Sequence, residues 1–329
     1  MNTKTLFINN QASSDAVDTY PTISEALLHI PDDDDIPVRL LVSPGRYYEK
    51  LIIAKPNLTL EGTGDSPSDT VIYFDDYAFA DMPDGSKRGT FRSFTLLVDA
   101  YNVTLRNLTI ENSSGDPITH GQAIALYADG DNLICENCRL LGHQDTLFTG
   151  PLPLKELQPH GFVGPKEYAP RLATHQLYSN CYICGDVDFI FGSATVYFDC
   201  CTIESLYREK TAAEPQGYVT AASTYEGQEY GYVFNNCRII SAGCRPGSVY
   251  LGRPWRDYAR TVFINCDLGS HISPLGFHDW NKPAAREHCF YATYGCTQAG
   301  DHFAPGCDFA SELTSEEATS YSRASILGF

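Results

Sequence analysis

One short pattern recurs along most of the chain. An asparagine or small residue precedes an apolar residue, a spacer and a second apolar residue. The copies are Asn57-Leu58-Thr59-Leu60, Asn107-Leu108-Thr109-Ile110, Asn137-Cys138-Arg139-Leu140, Asn180-Cys181-Tyr182-Ile183, Cys200-Cys201-Thr202-Ile203, Asn236-Cys237-Arg238-Ile239 and Asn265-Cys266-Asp267-Leu268. Such alternation marks a strand with one buried face. The spacing runs from 20 residues, Cys181 to Cys201, to 50, Leu58 to Leu108. A helical-repeat array holds its period better than that. A parallel β-helix tolerates it, because its coils of roughly twenty residues carry loops of varying length on one side. Each coil alone leaves its strand edges unpaired, and stacking satisfies them while burying a ladder of side chains. The Asn is expected at the corners, where its side chain bonds backbone and left-handed geometry is tolerated. The Cys after it is expected to face inward as a small apolar residue. The predicted fold class is therefore all-β, one β-helix domain over residues 1–329.

Helical signals sit near both ends. Ile23, Ala26, Leu27 and Ile30 form one apolar stripe, Thr22 and Glu25 are placed for a capping box, and Pro31 ends the segment before the acidic turn Asp32–Asp35. Thr314 and Glu317 repeat the box, followed by Ala318, Tyr321 and Ala324. A helix at each end is expected to shield the exposed core of the stack. Residues 149–174 hold five prolines and little periodicity, so they are expected to form a long inserted loop.

Charge excludes some partners. There are 23 Lys plus Arg against 41 Asp plus Glu, a net charge of −18. That balance argues against nucleic acid and against an anionic membrane surface. No apolar run reaches the roughly 18–20 residues of a membrane helix. Leu6-Phe7-Ile8 is too short for a signal peptide, and cytoplasmic localisation is the expectation, with secretion the alternative if a leader was removed. The 12 cysteines, about 4% of the chain, are expected to be mostly reduced core residues.

Several chemistries lack their motifs. Gly-x-Ser-x-Gly, His-Glu-x-x-His and the glycine-rich phosphate loops do not occur. Two Cys-x-x-Cys pairs, Cys135/Cys138 and Cys181/Cys184, lie 43 residues apart, too far for a zinc ribbon. Strand alternation also sets the sulfurs of a pair on opposite faces unless the chain turns between them. Polar groups instead stand among apolar neighbours in four segments: Gly121–Leu126, Gly142–Phe148, Gly185–Gly192 and Tyr250–Trp255. Singly, each polar group reads as a residue bonding a turn. Together they read as a site, because Asp188 precedes three bulky apolar residues and needs a partner there. Arg253, between Gly252 and Pro254, is a candidate partner.

At these residues the chain resembles the pectin methylesterase family. The resemblance is carried by Gly45-Arg46-Tyr47-Tyr48-Glu49, Gln122-Ala123-Ile124-Ala125-Leu126, Gln144-Asp145-Thr146-Leu147, Asp188-Phe189-Ile190-Phe191-Gly192 and Leu251-Gly252-Arg253-Pro254-Trp255, in the family's order. It implies a right-handed parallel β-helix of the pectin-lyase-like kind. It also implies hydrolysis of methyl esters on galacturonate units of pectin or oligogalacturonates, releasing methanol. By this resemblance Asp188 is the nucleophile, Asp145 the general acid/base, and Gln122 and Gln144 the oxyanion donors, with Arg253 holding Asp188. No metal or cofactor is implied. Trp255 is expected to offer a flat face to a sugar ring, with Phe148 and Phe189 adding to the cleft. His143 reads either as a neighbour of the strand end or as a group bonding the site. The loop over 149–174 is expected beside the cleft, and the enzyme is expected to act as a monomer. The alternatives are a same-fold esterase or thioesterase on a non-pectin ester, and a non-catalytic carbohydrate-binding β-helix.

Overall fold

The corners set the architecture. Asn57, Asn102, Asn107, Asn132, Asn137, Asn180, Asn236 and Asn265 all take left-handed backbone, with φ between 51° and 55°. Asn bears this conformation at lower cost than most residues, and at several corners its amide bonds its counterpart in a neighbouring coil. Asn132 donates to Asn102 at 3.1 Å, Asn102 to Asn57 at 3.0 Å, and Asn137 to Asn107 at 2.9 Å. Cys200 takes the same corner geometry where the repeat lacks its Asn, at φ 54°.

The computed structural model describes residues 3–11, 17–210 and 214–328. Among these, strands stack into three sheets of twelve, ten and seven members, paired in parallel except where Thr297–Gln298 meets Asp301–His302. The molecule is a single-domain right-handed parallel β-helix. Register keeps like side chains in line: Ile72, Ile110, Leu140, Ile183, Ile203, Ile239 and Leu268 are successive partners in the ten-stranded sheet, all buried. On the twelve-stranded sheet Phe198, Phe234 and Phe263 stack face to face, with centroids 4.3 and 4.4 Å apart. Each fully buried aromatic or branched side chain of these ladders contributes roughly 1.5–3 kcal/mol of burial free energy.

Cys138, Cys181, Cys201, Cys237 and Cys266 face inward behind their corners, and all twelve cysteines are free thiols. Cys135 and Cys138 are both in the core, because the left-handed turn at Asn137 reverses the alternation between them. The two ends of the chain differ. Helix Ile23–Leu27 inserts Ile23 and Ala26 into the first coil, as expected of a cap. Thr22 accepts from the backbone of Glu25, but the first turn is bonded by Glu49 rather than by a full capping box. Helices Ser315–Thr319 and Arg323–Leu327 do not close the far end. They lie on the outer face of the twelve-stranded sheet, where Ile326 and Leu327 cover Leu177, Tyr197 and Val233. Those strands carry apolar residues on both faces, and the outer face is what needs cover.

The Gly-Arg-Tyr-Tyr-Glu segment proves to be a structural clasp. Glu49 accepts from the Ile23 N–H at 3.0 Å, the Ser24 N–H at 2.7 Å and the Ser24 hydroxyl at 2.5 Å. Glu49→Ala strands these donors, so it is expected to lower stability by about 2 kcal/mol in urea unfolding. The folded fraction should keep full activity, and a variant as stable as the parent contradicts the clasp.

Candidate active site

The site lies on the outer face of the seven-stranded sheet. Four neighbouring strands build it: Leu147–Thr149, Val187–Gly192, Gly217–Ala222 and Val249–Gly252. Asp145 stands just before the first and Arg253 just after the last. Asp188 lies within the second, and Tyr218 is on the third.

Two aspartates have unusual backbone. Asp145 has φ 67° and Asp188 has φ 51°. The pairing of Asp188's strand slips at this point: Val187 partners Tyr218, yet Ile190 partners Thr220, so Asp188 and Phe189 oppose one residue. This bulge re-aims side chains. It turns Asp188 outward, sends both Phe189 and Ile190 into the core, and brings Phe191 out to the cleft.

Arg253 clamps Asp188. Its Nε donates to Oδ1 at 2.8 Å and its Nη2 to Oδ2 at 2.6 Å. A planar guanidinium that donates to both oxygens is the partner of a carboxylate. Arg253 is itself held between two rings, 3.8 Å from the Tyr218 centroid and 3.6 Å from that of Trp280. Asp145 shares the cleft without such a partner. Burial, and then the charge of Asp188, push its carboxyl well above the usual range. Gln122 and Gln144 line the same cleft of roughly 490 Å³. Among the described residues neither amide nitrogen has a hydrogen-bond partner, so both are open donors.

An aromatic layer floors the cleft. Phe162 and Phe191 meet Trp255, with centroids 6.3 and 5.7 Å from it, and Phe91 packs against both phenylalanines. Lys282 donates to the Pro254 and Trp255 carbonyls at 2.8 and 3.2 Å, and burial with Arg256 nearby lowers its pKa to about 8. Loop 150–174 forms one wall, through Leu157, Gln158, Gly161 and Phe162. It is tied down by Tyr225 to the Leu152 carbonyl at 2.6 Å, by Arg256 to the Lys155 carbonyl at 3.0 Å, and by Lys166 to Asp99 and Asp129.

Asp188, Asp145, Gln122, Gln144, Arg253 and Trp255 thus come together in one cleft. Phe148 and Phe189 do not take part. Phe189 is fully buried in the main core, because the bulge shifts the alternation by one. Phe148 is on the cleft side but roofed by Phe91 and Phe191, at 5.1 and 4.9 Å. Sequence reading passed over Phe91, Phe162, Phe191, Tyr218, Trp280 and Lys282. Only Trp280, one of 2 tryptophans, carried a signal in its rarity.

The parallel β-helix with this cleft on its face is the architecture of a class of carboxylic ester hydrolases. The family model described as Pectinesterase matches residues 9–151 and 168–328. Pectinesterase 31 of Arabidopsis thaliana is 31% identical over 314 residues, covering 94% of this chain and 88% of that protein. Pectinesterase QRT1 of the same plant is 30% identical over 319 residues, covering 95% and 74%. A crystal structure of a pectin methylesterase in complex with a hexasaccharide superposes with TM-score 0.81 at 28% identity, covering 100% of this chain and 98% of that one. The chain belongs to the pectinesterase family.

The raised carboxyl has a stability signature. Asp145 stays protonated in the fold at pH values where the unfolded chain has ionised it. It therefore costs stability progressively as pH rises from about 4 toward its folded value. Asp145→Asn should differ least from the parent near pH 4 and gain on it toward neutrality, by at most about 1.4 kcal/mol per pH unit. Urea unfolding at stepped pH measures the gap, and a gap independent of pH contradicts the assignment.

Proposed function

We propose that this chain removes methyl esters from galacturonate units of pectin, with Asp188 as nucleophile and Asp145 as general acid/base. The observation that carries the reading is the unequal treatment of two aspartates in one cleft: one is clamped by Arg253, the other is buried with no such clamp among the described residues. An Asp188 oxygen attacks the C6 ester carbonyl, forming a tetrahedral oxyanion within reach of the Gln122 and Gln144 amides. Such a donor contributes roughly 3–4 kcal/mol in other enzymes. The C–O bond to the methoxy group breaks, Asp145 gives that oxygen its proton, and methanol leaves. An anhydride now joins Asp188 to the sugar. Asp145, ionised by that transfer, takes a proton from water, and the hydroxide adds to the acyl carbon. Asp188 departs as a carboxylate and Asp145 is again protonated. One water is consumed, and methanol and one galacturonic acid group are formed. No step requires a metal or cofactor.

The Trp255 face and the aromatic floor support a pyranose ring above the two carboxyls. The similar pectin methylesterase solved with a hexasaccharide adds weight to an oligosaccharide ligand. The wall formed by Leu157, Gln158 and Phe162 falls within residues 152–167, which the family model leaves unmatched. We read this stretch as an insertion that narrows the cleft toward short or highly methylated substrates. The enzyme is taken to act as a monomer. Among the described residues no helix is long and apolar enough to cross a membrane. The cytoplasmic expectation gains no support from the Arabidopsis relatives.

The test is methanol release by the purified protein on highly methylated pectin, methylated oligogalacturonates and an acyl thioester. Methanol in step with new carboxylate is expected on the first two, with none of the thioester cleaved; thioester hydrolysis without methanol overturns the reading. The net charge of −18 adds a second expectation. De-esterified polymer is an anion, so rates on low-ester pectin should rise with moderate salt as repulsion is screened. Rates unmoved by salt count against that charge effect.

A further inference from the structure

Behind Gln144 lies a polar cluster that the chemistry above leaves unused. Arg208 follows the strand Thr202–Ser205, and its side chain is 14% exposed. It does not line the cleft. Its Nη1 donates to Gln144 Oε1 at 3.0 Å. Asp186, 1% exposed, faces it with Oδ1 at 3.5 Å, and that same oxygen accepts from the Val187 N–H at 2.6 Å. His143 Nδ1 stands 4.0 Å from the other oxygen of Asp186. The cluster is rigidly tied to both catalytic corners. The Asp186 N–H donates to the His143 carbonyl at 3.1 Å, and the Asp145 N–H to the Val187 carbonyl at 3.2 Å.

As a stabilising device the cluster is poor. Among the described residues, Arg208 Nε, Asp186 Oδ2 and His143 Nδ1 are all buried without a hydrogen-bond partner. Burying charges with unsatisfied atoms costs free energy that well-packed apolar groups would not. What the cluster does supply is direction. A guanidinium can donate but not accept. The Gln144 atom facing it must therefore be the carbonyl oxygen, since the reverse amide would set two donors against each other. The Nε2 group is thereby turned to the opposite side, toward the cleft shared with Asp145.

We infer that Arg208, braced by Asp186, is a positioning residue for ester hydrolysis: it locks the Gln144 amide with its N–H face toward the oxyanion. The inference rests on the proposed function, in which Gln144 is an oxyanion donor. Without Arg208 the amide is free to turn over and present an oxygen to the developing negative charge. That interaction exists only in the transition state, so its loss falls on kcat and not on KM.

Steady-state kinetics on highly methylated pectin test this. The main variant is Arg208→Met combined with Asp186→Asn, which removes both buried charges and leaves neither unpaired. It should lower kcat roughly ten- to a hundredfold with KM within about twofold. Arg208→Lys keeps a donor and should recover part of the loss. Adding Gln144→Ala to the double variant should cost little more, although the same change in the parent costs its full effect. If the double variant fails to fold, Gln144→Glu decides. It keeps an acceptor for Arg208 but removes the donor, and should lose as much kcat as Gln144→Ala. Parent-like kcat in the double variant, or in Gln144→Glu, overturns the inference, as does a Gln144→Ala effect undiminished in the double variant. A parent that releases no methanol removes the ester reading itself, a distinct failure.

Discussion

A single guanidinium organises the cleft. Arg253 donates to both oxygens of Asp188 while lying between the rings of Tyr218 and Trp280. A carboxylate followed by Phe189, Ile190 and Phe191 has no water to solvate it fully, and an isolated charge there would be costly. The clamp offsets that cost and fixes the orientation of the oxygens. It also sets the two aspartates of the cleft apart. Asp145 receives the negative field of Asp188 without a donor pair of its own, and burial together with that field favours its protonated form.

The β-helix makes this possible by stacking. The four strands that bring the candidate catalytic groups together are neighbours in one parallel sheet, though those groups are spread from Asp145 to Arg253 in the chain. Parallel stacking places strand starts beside strand starts, so polar groups at equivalent points of successive coils converge on one surface. Two departures from ideal geometry finish the site, the left-handed aspartates and the bulge at Asp188. Strained backbone of this kind persists where the surrounding ladder over-determines it. Here the ladder runs through Leu126, Leu147 and Ile190 of the seven-stranded sheet, with Val219 and Leu251 in the same core.

Much of this was legible in the residues. The Asn-corner repeat predicted stacked coils, left-handed corners and inward thiols, and the structure has all three. The convergence of Asp145, Asp188, Arg253 and the two glutamines followed from motif order. Strict alternation misled at Phe189, because a bulge inserts one residue and no sequence period announces it. Phe148 faced the right way but lies under a second aromatic layer that only tertiary packing reveals. At the C-terminus the Thr314/Glu317 capping box showed in sequence, but the second helix and the docking face of the pair did not. That face was set by outward apolar residues on distant strands, Leu177, Tyr197 and Val233. Trp280 and Arg208 come from irregular segments, where no periodicity links a residue to the site it supports.

The account stands or falls on Asp188 as the attacking carboxylate. The most direct measurement is the kcat for methanol release by Asp188→Asn, taken on folded protein. The amide is nearly isosteric and still offers Arg253 an oxygen, but it cannot form the anhydride. A loss of at least about a thousandfold is the predicted result. Turnover within about tenfold of the parent would mean that another group, or water directly, opens the ester, and the roles assigned to both aspartates would fall with it.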